Sequence, residues 1–114
     1  MARYLISFND GDMTFPDEDL PAVGEAAHKV VREAMASSVW IVGGGFEGYS
    51  PQVVGIDATV IDGPLQESPA HIGGFSIIEV ASDAEALEWA RKIAVACRCA
   101  QEVRRIMYDP ELER

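Results

Sequence analysis

Residues 61–75 read Ile-Asp-Gly-Pro-Leu-Gln-Glu-Ser-Pro-Ala-His-Ile-Gly-Gly-Phe and lead directly into an apolar run. The Asp62-Gly-Pro sequence favours a turn, because an aspartate side chain bonds nearby backbone amides. Residues 75–80 are mostly β-branched or aromatic, and this composition predicts a strand. Ser82 and Glu85 then have the spacing of a capping box, which marks the start of a helix. The tract therefore predicts a turn, a strand and a helix in succession.

Other short runs of β-branched and aromatic residues predict the remaining strands. They are residues 4–8, 39–42 and 101–107, with a hairpin of undetermined register over 52–54 and 58–61. Apolar residues recur at three- and four-residue steps from residue 20 to about 35, which predicts an amphipathic helix that Asp17 or Asp19 can cap. The helix that begins after Ser82 is expected to end near Arg98.

This order of elements predicts an α+β, ferredoxin-like sandwich of the dimeric α+β barrel type, with an antiparallel sheet and two helices on one face. The domain is expected to span residues 1–108, and residues 109–114 to form a charged tail. Both alternating sides of the strands carry apolar residues, for example Leu5 and Ile6. Because two helices cover only one face, we predict a homodimer in which the open sheet faces pack together.

The charge and the hydrophobic pattern of the chain limit the kinds of partner that it can bind. The chain has 114 residues, a formal net charge of -10 and a pI near 4.4. Such a surface repels phosphate backbones and anionic lipids, so we expect no nucleic-acid partner. No apolar run approaches the ~20 residues of a membrane span, and Asp10 comes before any signal-like apolar region. We therefore expect a cytoplasmic protein without a membrane partner.

A glycine-rich stretch at residues 43–48 matches the G-x-G-x-x-G spacing of dinucleotide sites. Such a site needs a helix that begins at the glycines, and the Tyr49-Ser50-Pro51 sequence opposes one. We therefore predict a flexible loop at the end of a strand, and no cofactor.

Four side chains could in principle ligate a metal, namely His28, His71, Cys97 and Cys99. None of their spacings resembles a zinc site, so no metal is expected. Two cysteines also make no disulfide framework, and we predict buried, reduced thiols.

Asp62 and His28 are the candidates for chemistry. Asp62 has two interpretations: a turn residue, or a carboxylate that holds the tautomer of a nearby imidazole while the other ring nitrogen exchanges a proton. His28 falls at the border of the buried stripe of its helix, a position that suits a cleft wall or simple solvation. His71 is either solvated or part of a lid over a pocket.

The chain resembles the YCII-related family and, in particular, its DGPF branch, over nearly its whole length. Asp62-Gly63-Pro64-Leu65 stands where the family writes Asp-Gly-Pro-Phe, and Gly73-Gly74-Phe75 and residues 84–90 are also similar. The resemblance implies a dimeric ferredoxin-like fold and a His-Asp pair in a cleft at the dimer. Here His28 would be the helical histidine and Asp62 the motif aspartate. Leu65 and residues 68–71 depart from the family pattern.

We therefore predict a small dimeric protein with a cleft for a small organic ligand, in which His28 acts as general acid or base and Asp62 orients it. The residues expected to line the cleft are Gly63, Pro64, His71, Gly74 and Phe75. The alternative is a noncatalytic ligand-binding or regulatory accessory protein.

Overall fold

The computed structural model describes residues 1–47, 51–64 and 71–113. Its strands are β1 (Ala2–Asn9), β2 (Trp40–Gly45), β3 (Gln52–Val54), β4 (Val60–Asp62), β5 (Ile72–Val80) and β6 (Glu102–Arg105). Its helices are α1 (Leu20–Ala36) and α2 (Asp83–Cys97), with short 3-10 helices at Asp17–Asp19 and Pro110–Leu112. No helix among these residues is long and apolar enough to cross a membrane.

The main sheet has four strands in the order β2-β5-β1-β6, and all neighbouring strands are antiparallel. Leaving out the β3–β4 hairpin, the chain order is strand, helix, strand, strand, helix, strand, as the sequence predicts. The predicted α+β fold is confirmed. β5 is longer than predicted and begins at Ile72, because Ile72 pairs with Asn9 of β1 and Gly74 pairs with both β1 and β2.

The core lies between the sheet and the helices. Tyr4 and Ile6 of β1 pack with Ile78 and Val80 of β5 and with α2, which contributes small alanine side chains. The helix begins as predicted, since the Ser82 hydroxyl accepts a hydrogen bond from the Glu85 amide at 3.2 Å. Alternation along β1 and β5 therefore places one apolar set under the helices.

The other set occupies the sheet face opposite the helices. Leu5 pairs with Ile77, Ile77 pairs with Val42, and Phe75 pairs with Gly44, so these residues share that face. Leu5, Phe75 and Ile77 are only half-buried in the single chain, and Val42 is exposed. We call this surface the open face.

The β3–β4 hairpin forms a separate two-stranded sheet, and we call residues 51–64 the arm. Four of its apolar side chains are exposed: Val54, Ile56, Val60 and Ile61. The Cα radius of gyration of the chain is 15.7 Å, whereas a compact chain of this length has about 13 Å. An isolated two-stranded hairpin has little stability in water, so the arm needs a surface to pack against.

The glycine run after Trp40 corrects one prediction. Gly43, Gly44 and Gly45 do not form a flexible loop but continue β2 and pair with Ser76, Phe75 and Gly74. A Cβ at Gly43 would lie 2.5 Å from the Phe75 carbonyl oxygen, so glycine allows the two strands to approach. Among the described residues, no helix begins at these glycines, and Gly43–Gly45 of the dinucleotide motif are part of the sheet.

The start of α1 corrects a second prediction. Neither Asp17 nor Asp19 caps the helix with its side chain, because residues 17–19 form a 3-10 turn that leads directly into it. The Asp19 carboxylate instead pairs with Arg98 at the end of α2, at 2.8 Å. Pro21 occupies the first turn of α1, where a missing N–H costs nothing.

Candidate functional site

One end of the main sheet gathers several of the predicted site residues. β1 and β2 finish there and β5 begins there, because Asn9 pairs with Ile72 and Gly45 pairs with Gly74. His71 immediately precedes β5, and its carbonyl accepts a hydrogen bond from the Asp10 amide at 2.7 Å. Its side chain is therefore held at this edge and is half-buried.

The backbone of β2 is uncovered on the open face beside Phe75. A Cβ built at Gly44 would meet nothing within 4 Å, so the backbone of β2 is uncovered there. The rings of Phe46 and Phe75 stand next to it with centroids 5.8 Å apart. Uncovered backbone next to aromatic rings suits an apolar, planar group. We call this feature the Gly44 hollow.

Gly74 has a packing role on the opposite side of the strand. A Cβ at this position would lie 2.6 Å from two carbons of the Phe8 ring. The absence of a side chain thus makes room for Phe8 under the helices. Of the predicted cleft residues, Phe75 lies on the open face, and His71 lies at the sheet end.

Asp62, Gly63 and Pro64 lie together at the base of the arm. The Gly63 amide donates to the Pro51 carbonyl at 2.9 Å and closes the arm, and the Gly63–Pro64 peptide bond is cis. Asp62 ends β4 with an exposed side chain. The turn interpretation of this motif accounts for the backbone, while the carboxylate of Asp62 is accessible.

The tip of the arm is ordered by its own aspartate. The Oδ1 atom of Asp57 accepts hydrogen bonds from the hydroxyl and the amide of Thr59, at 2.7 and 3.1 Å. These bonds hold the pKa of Asp57 below its ordinary value. The tip residue Ala58 has a φ of 70°.

His28 lies near the middle of α1, and its side chain is exposed rather than at the border of the buried stripe. Among the described residues, no hydrogen bond or ion pair joins His28 to Asp62, which sits in the separate sheet of the arm. A single chain thus presents the two side chains on different elements, both open to a partner. Leu65 and residues 68–70, where the sequence departs from the family pattern, lie outside the described part of the chain.

The two thiols lie at the end of α2 and are free and half-buried. Burial raises the pKa of Cys97, and burial together with Asp12 raises the pKa of Cys99. Within residues 1–47, 51–64 and 71–113, no group of three or more His, Cys, Asp and Glu side chains is placed to hold a metal ion.

Sequence reasoning missed Gly44 and Phe46 as parts of the site, because it assigned the glycine run to a loop. The signal was present in the alternation itself. If β2 is continued past Val42, Gly44 and Phe46 fall on the same face as Val42.

A model of the YCII-related domain matches residues 3–108 of the chain. The chain belongs to the YCII-related family. The predicted family resemblance is confirmed by this match. No curated protein matches the sequence.

The fold of this YCII-related chain is similar to that of a solved enzyme. That protein is 5-chloro-2-hydroxyhydroquinone dehydrochlorinase (TftG) from Burkholderia phenoliruptrix AC1100, in complex with 2,5-dihydroxybenzoquinone. The TM-score is 0.54 with 17% sequence identity, over 97% of this chain and 99% of the other. At this identity the similarity shows the shared fold.

Proposed function

We propose that this YCII-related protein is a homodimer that binds a small organic ligand in a cleft between subunits. In this proposal His28 of one protomer is the general acid or base, and Asp62 of the other protomer orients its imidazole. The observation that carries the proposal is the arm, which holds Asp62 at its base, forms a sheet of its own and exposes apolar side chains among the described residues.

Two surfaces support the dimer. The open face carries Leu5, Phe75 and Ile77, which a symmetry mate would cover. The exposed apolar side chains of the arm would also be covered if it lay across the partner. Burial of apolar surface favours association, so both surfaces favour a dimer.

The position of His28 supports a site shared between subunits. Its imidazole is exposed on α1, and Asp62 is exposed at the end of β4, so both side chains are accessible to a partner. An arm that crosses to the partner carries its carboxylate with it. A carboxylate that accepts a hydrogen bond from one ring nitrogen fixes the tautomer and leaves the other nitrogen for proton transfer.

The Gly44 hollow supports a planar, cyclic ligand. It combines uncovered backbone with the Phe46 and Phe75 rings, and His71 lies at the same sheet end. The structurally similar dehydrochlorinase is complexed with a dihydroxybenzoquinone. Dihydroxybenzoquinones and hydroxylated quinols are therefore the first ligands to test. Proton transfer to or from a ring hydroxyl is the chemistry that a His-Asp pair performs.

The test compares the wild-type protein with His28→Ala, and with Arg32→Ala as an exposed control on the same helix. Each is screened by thermal shift and for turnover against 2,5-dihydroxybenzoquinone and related quinols. We expect ligand stabilisation in the wild type and the control, and loss of turnover in His28→Ala. If His28→Ala keeps every activity and ligand response, the assignment of His28 is wrong. Binding without product in the wild type would favour the noncatalytic alternative.

A further inference from the structure

A second surface lies between the two helices, away from the sheet. A groove of about 660 Å³ runs between α1 and α2. Its lining includes Val95, which is 81% exposed and lies nine residues after the buried Ala86, on the opposite side of α2 at 100° per residue. We call this surface the helix groove. It contains no residue of the proposed ligand cleft.

The helix groove concentrates positive charge on an acidic protein. The chain has 9 basic and 19 acidic residues, yet the groove is lined by four basic side chains and one acidic side chain. The basic residues are Lys29, Arg91, Lys92 and Arg98, and the acidic residue is Glu33. These residues come from two helices that are distant in the chain and pack side by side in the fold.

These cations can exchange partners. Lys92 lies 3.3 Å from Glu33, Arg98 pairs with Asp19 and Arg91 pairs with Glu88, while Lys29 has no carboxylate partner among the described residues. The pairs are exposed, and exposed pairs contribute only about 0.2–1 kcal/mol each. Carboxylates of a docking partner would therefore compete with them at small cost.

The shape of the helix groove fits a third helix. α1 and α2 run antiparallel, since Arg98 at the end of α2 pairs with Asp19 just before α1. Small side chains on both helices, Ala22, Ala26 and Ala96, allow close approach of another helix. From Ala22 to Glu33 the groove extends about 17 Å, or three helical turns.

We propose that the helix groove docks an amphipathic helix of a partner protein whose apolar stripe is flanked by acidic residues. The apolar stripe covers Val95 and Val30, and the acidic flanks face Lys29 and Arg91. A second copy of this chain does not fit through the same surface, because two-fold pairing would place cations against cations. This site is independent of the quinone cleft and of its chemistry.

The experiment uses two fluorescein-labelled synthetic helices of about 18 residues. Both carry the same leucine stripe, one with glutamate flanks and the other with lysine flanks, and binding to the full-length protein is followed by anisotropy. We expect the glutamate peptide to bind and the lysine peptide to bind at least about tenfold more weakly. Binding of the glutamate peptide should weaken with added salt. Equal binding of the two peptides, or no binding, would overturn the proposal.

Variants locate the binding site. Lys29→Glu should weaken binding of the glutamate peptide about fivefold, because it removes a charge contact. Val95→Asp should weaken binding about tenfold, because it removes an apolar contact. Arg32→Glu makes the same charge change on α1 outside the groove and should change affinity less than twofold. Circular dichroism and thermal melting confirm that each variant is folded. If Lys29→Glu and Arg32→Glu behave alike, the groove is not the docking site.

Anionic vesicles test whether the helix groove binds a lipid surface instead of a protein helix. Vesicles of phosphatidylglycerol should not sediment the protein, because its overall charge of -10 opposes binding. Sedimentation that Lys29→Glu abolishes would identify the groove as a lipid-binding surface and would contradict the proposal.

Discussion

Arg98 and Asp19 join the two helices: the Nη1 atom of Arg98 lies 2.8 Å from the Oδ2 atom of Asp19. Arg98 makes this contact from a left-handed backbone conformation, with a φ of 57°, at the position where helices often end with glycine. The side chain thus contributes an exposed ion pair while its backbone carries a conformational cost.

Substitution of Arg98 separates these two effects. Both Arg98→Ala and Arg98→Gly remove the ion pair, but only glycine relieves the left-handed strain. We expect Arg98→Gly to be more stable than Arg98→Ala by about 1 kcal/mol, measured by urea unfolding. Equal stability of the two variants would show that the backbone at this position carries no strain.

Substitution by alanine should destabilise the fold at Gly43 and change its stability little at Gly44. A Cβ at Gly43 would press on the backbone of β5, whereas one at Gly44 meets nothing within 4 Å. Gly43→Ala should destabilise the fold by about 1–3 kcal/mol, since overpacking against a backbone cannot relax easily. Gly44→Ala should change stability by no more than about 1 kcal/mol, and thermal melts of the two variants give the comparison. Equal losses would contradict the strand register.

The helix cap at Ser82 gives a third prediction. Its hydroxyl accepts from the Glu85 amide, so Ser82→Ala should cost about 1 kcal/mol of unfolding free energy. Ser37 follows the last turn of α1, and only its backbone takes part in ending that helix. Ser37→Ala is therefore the matched control and should be close to neutral. A cost at Ser37 as large as at Ser82 would argue against the capping assignment.

Thiol reactivity should depend on pH in a defined direction. Burial raises the pKa of Cys97 and of Cys99, so less thiolate forms at a given pH than in an exposed cysteine, whose pKa is about 8.5. We expect alkylation by iodoacetamide at pH 8 to be slower in the folded protein than in the urea-unfolded chain. The difference should narrow as the pH rises above the folded pKa. Equal rates at pH 8 would contradict the burial of the thiols.

The regular elements followed from the sequence because their signals are local. Alternation at residues 4–8, the spacing in α1 and the Ser82 cap each act within a few residues, and the structure has all three. The Gly43–Gly45 run was assigned wrongly because pairing with β5 is a tertiary contact that overrides the weak strand propensity of glycine.

The candidate site was harder to predict because it depends on contacts between distant parts of the chain. Residue type alone makes Asp62 and His71 candidates, but the Gly44 hollow appears only when β2 pairs with β5. Likewise, Lys29 and Arg91 lie far apart in sequence and meet only across the helix groove.

The arm offers the most direct test of the shared site. His28→Ala and Asp62→Asn protomers are unfolded together, refolded, and titrated with 2,5-dihydroxybenzoquinone, and each variant alone serves as control. Light scattering on the same samples should give twice the chain mass of 12.4 kDa. If His28 and Asp62 pair between subunits, random association of the two variant protomers leaves about a quarter of the sites intact. The mixture should then recover about that fraction of the wild-type ligand response. A monomeric mass, or a mixture no more active than either variant alone, would contradict the account.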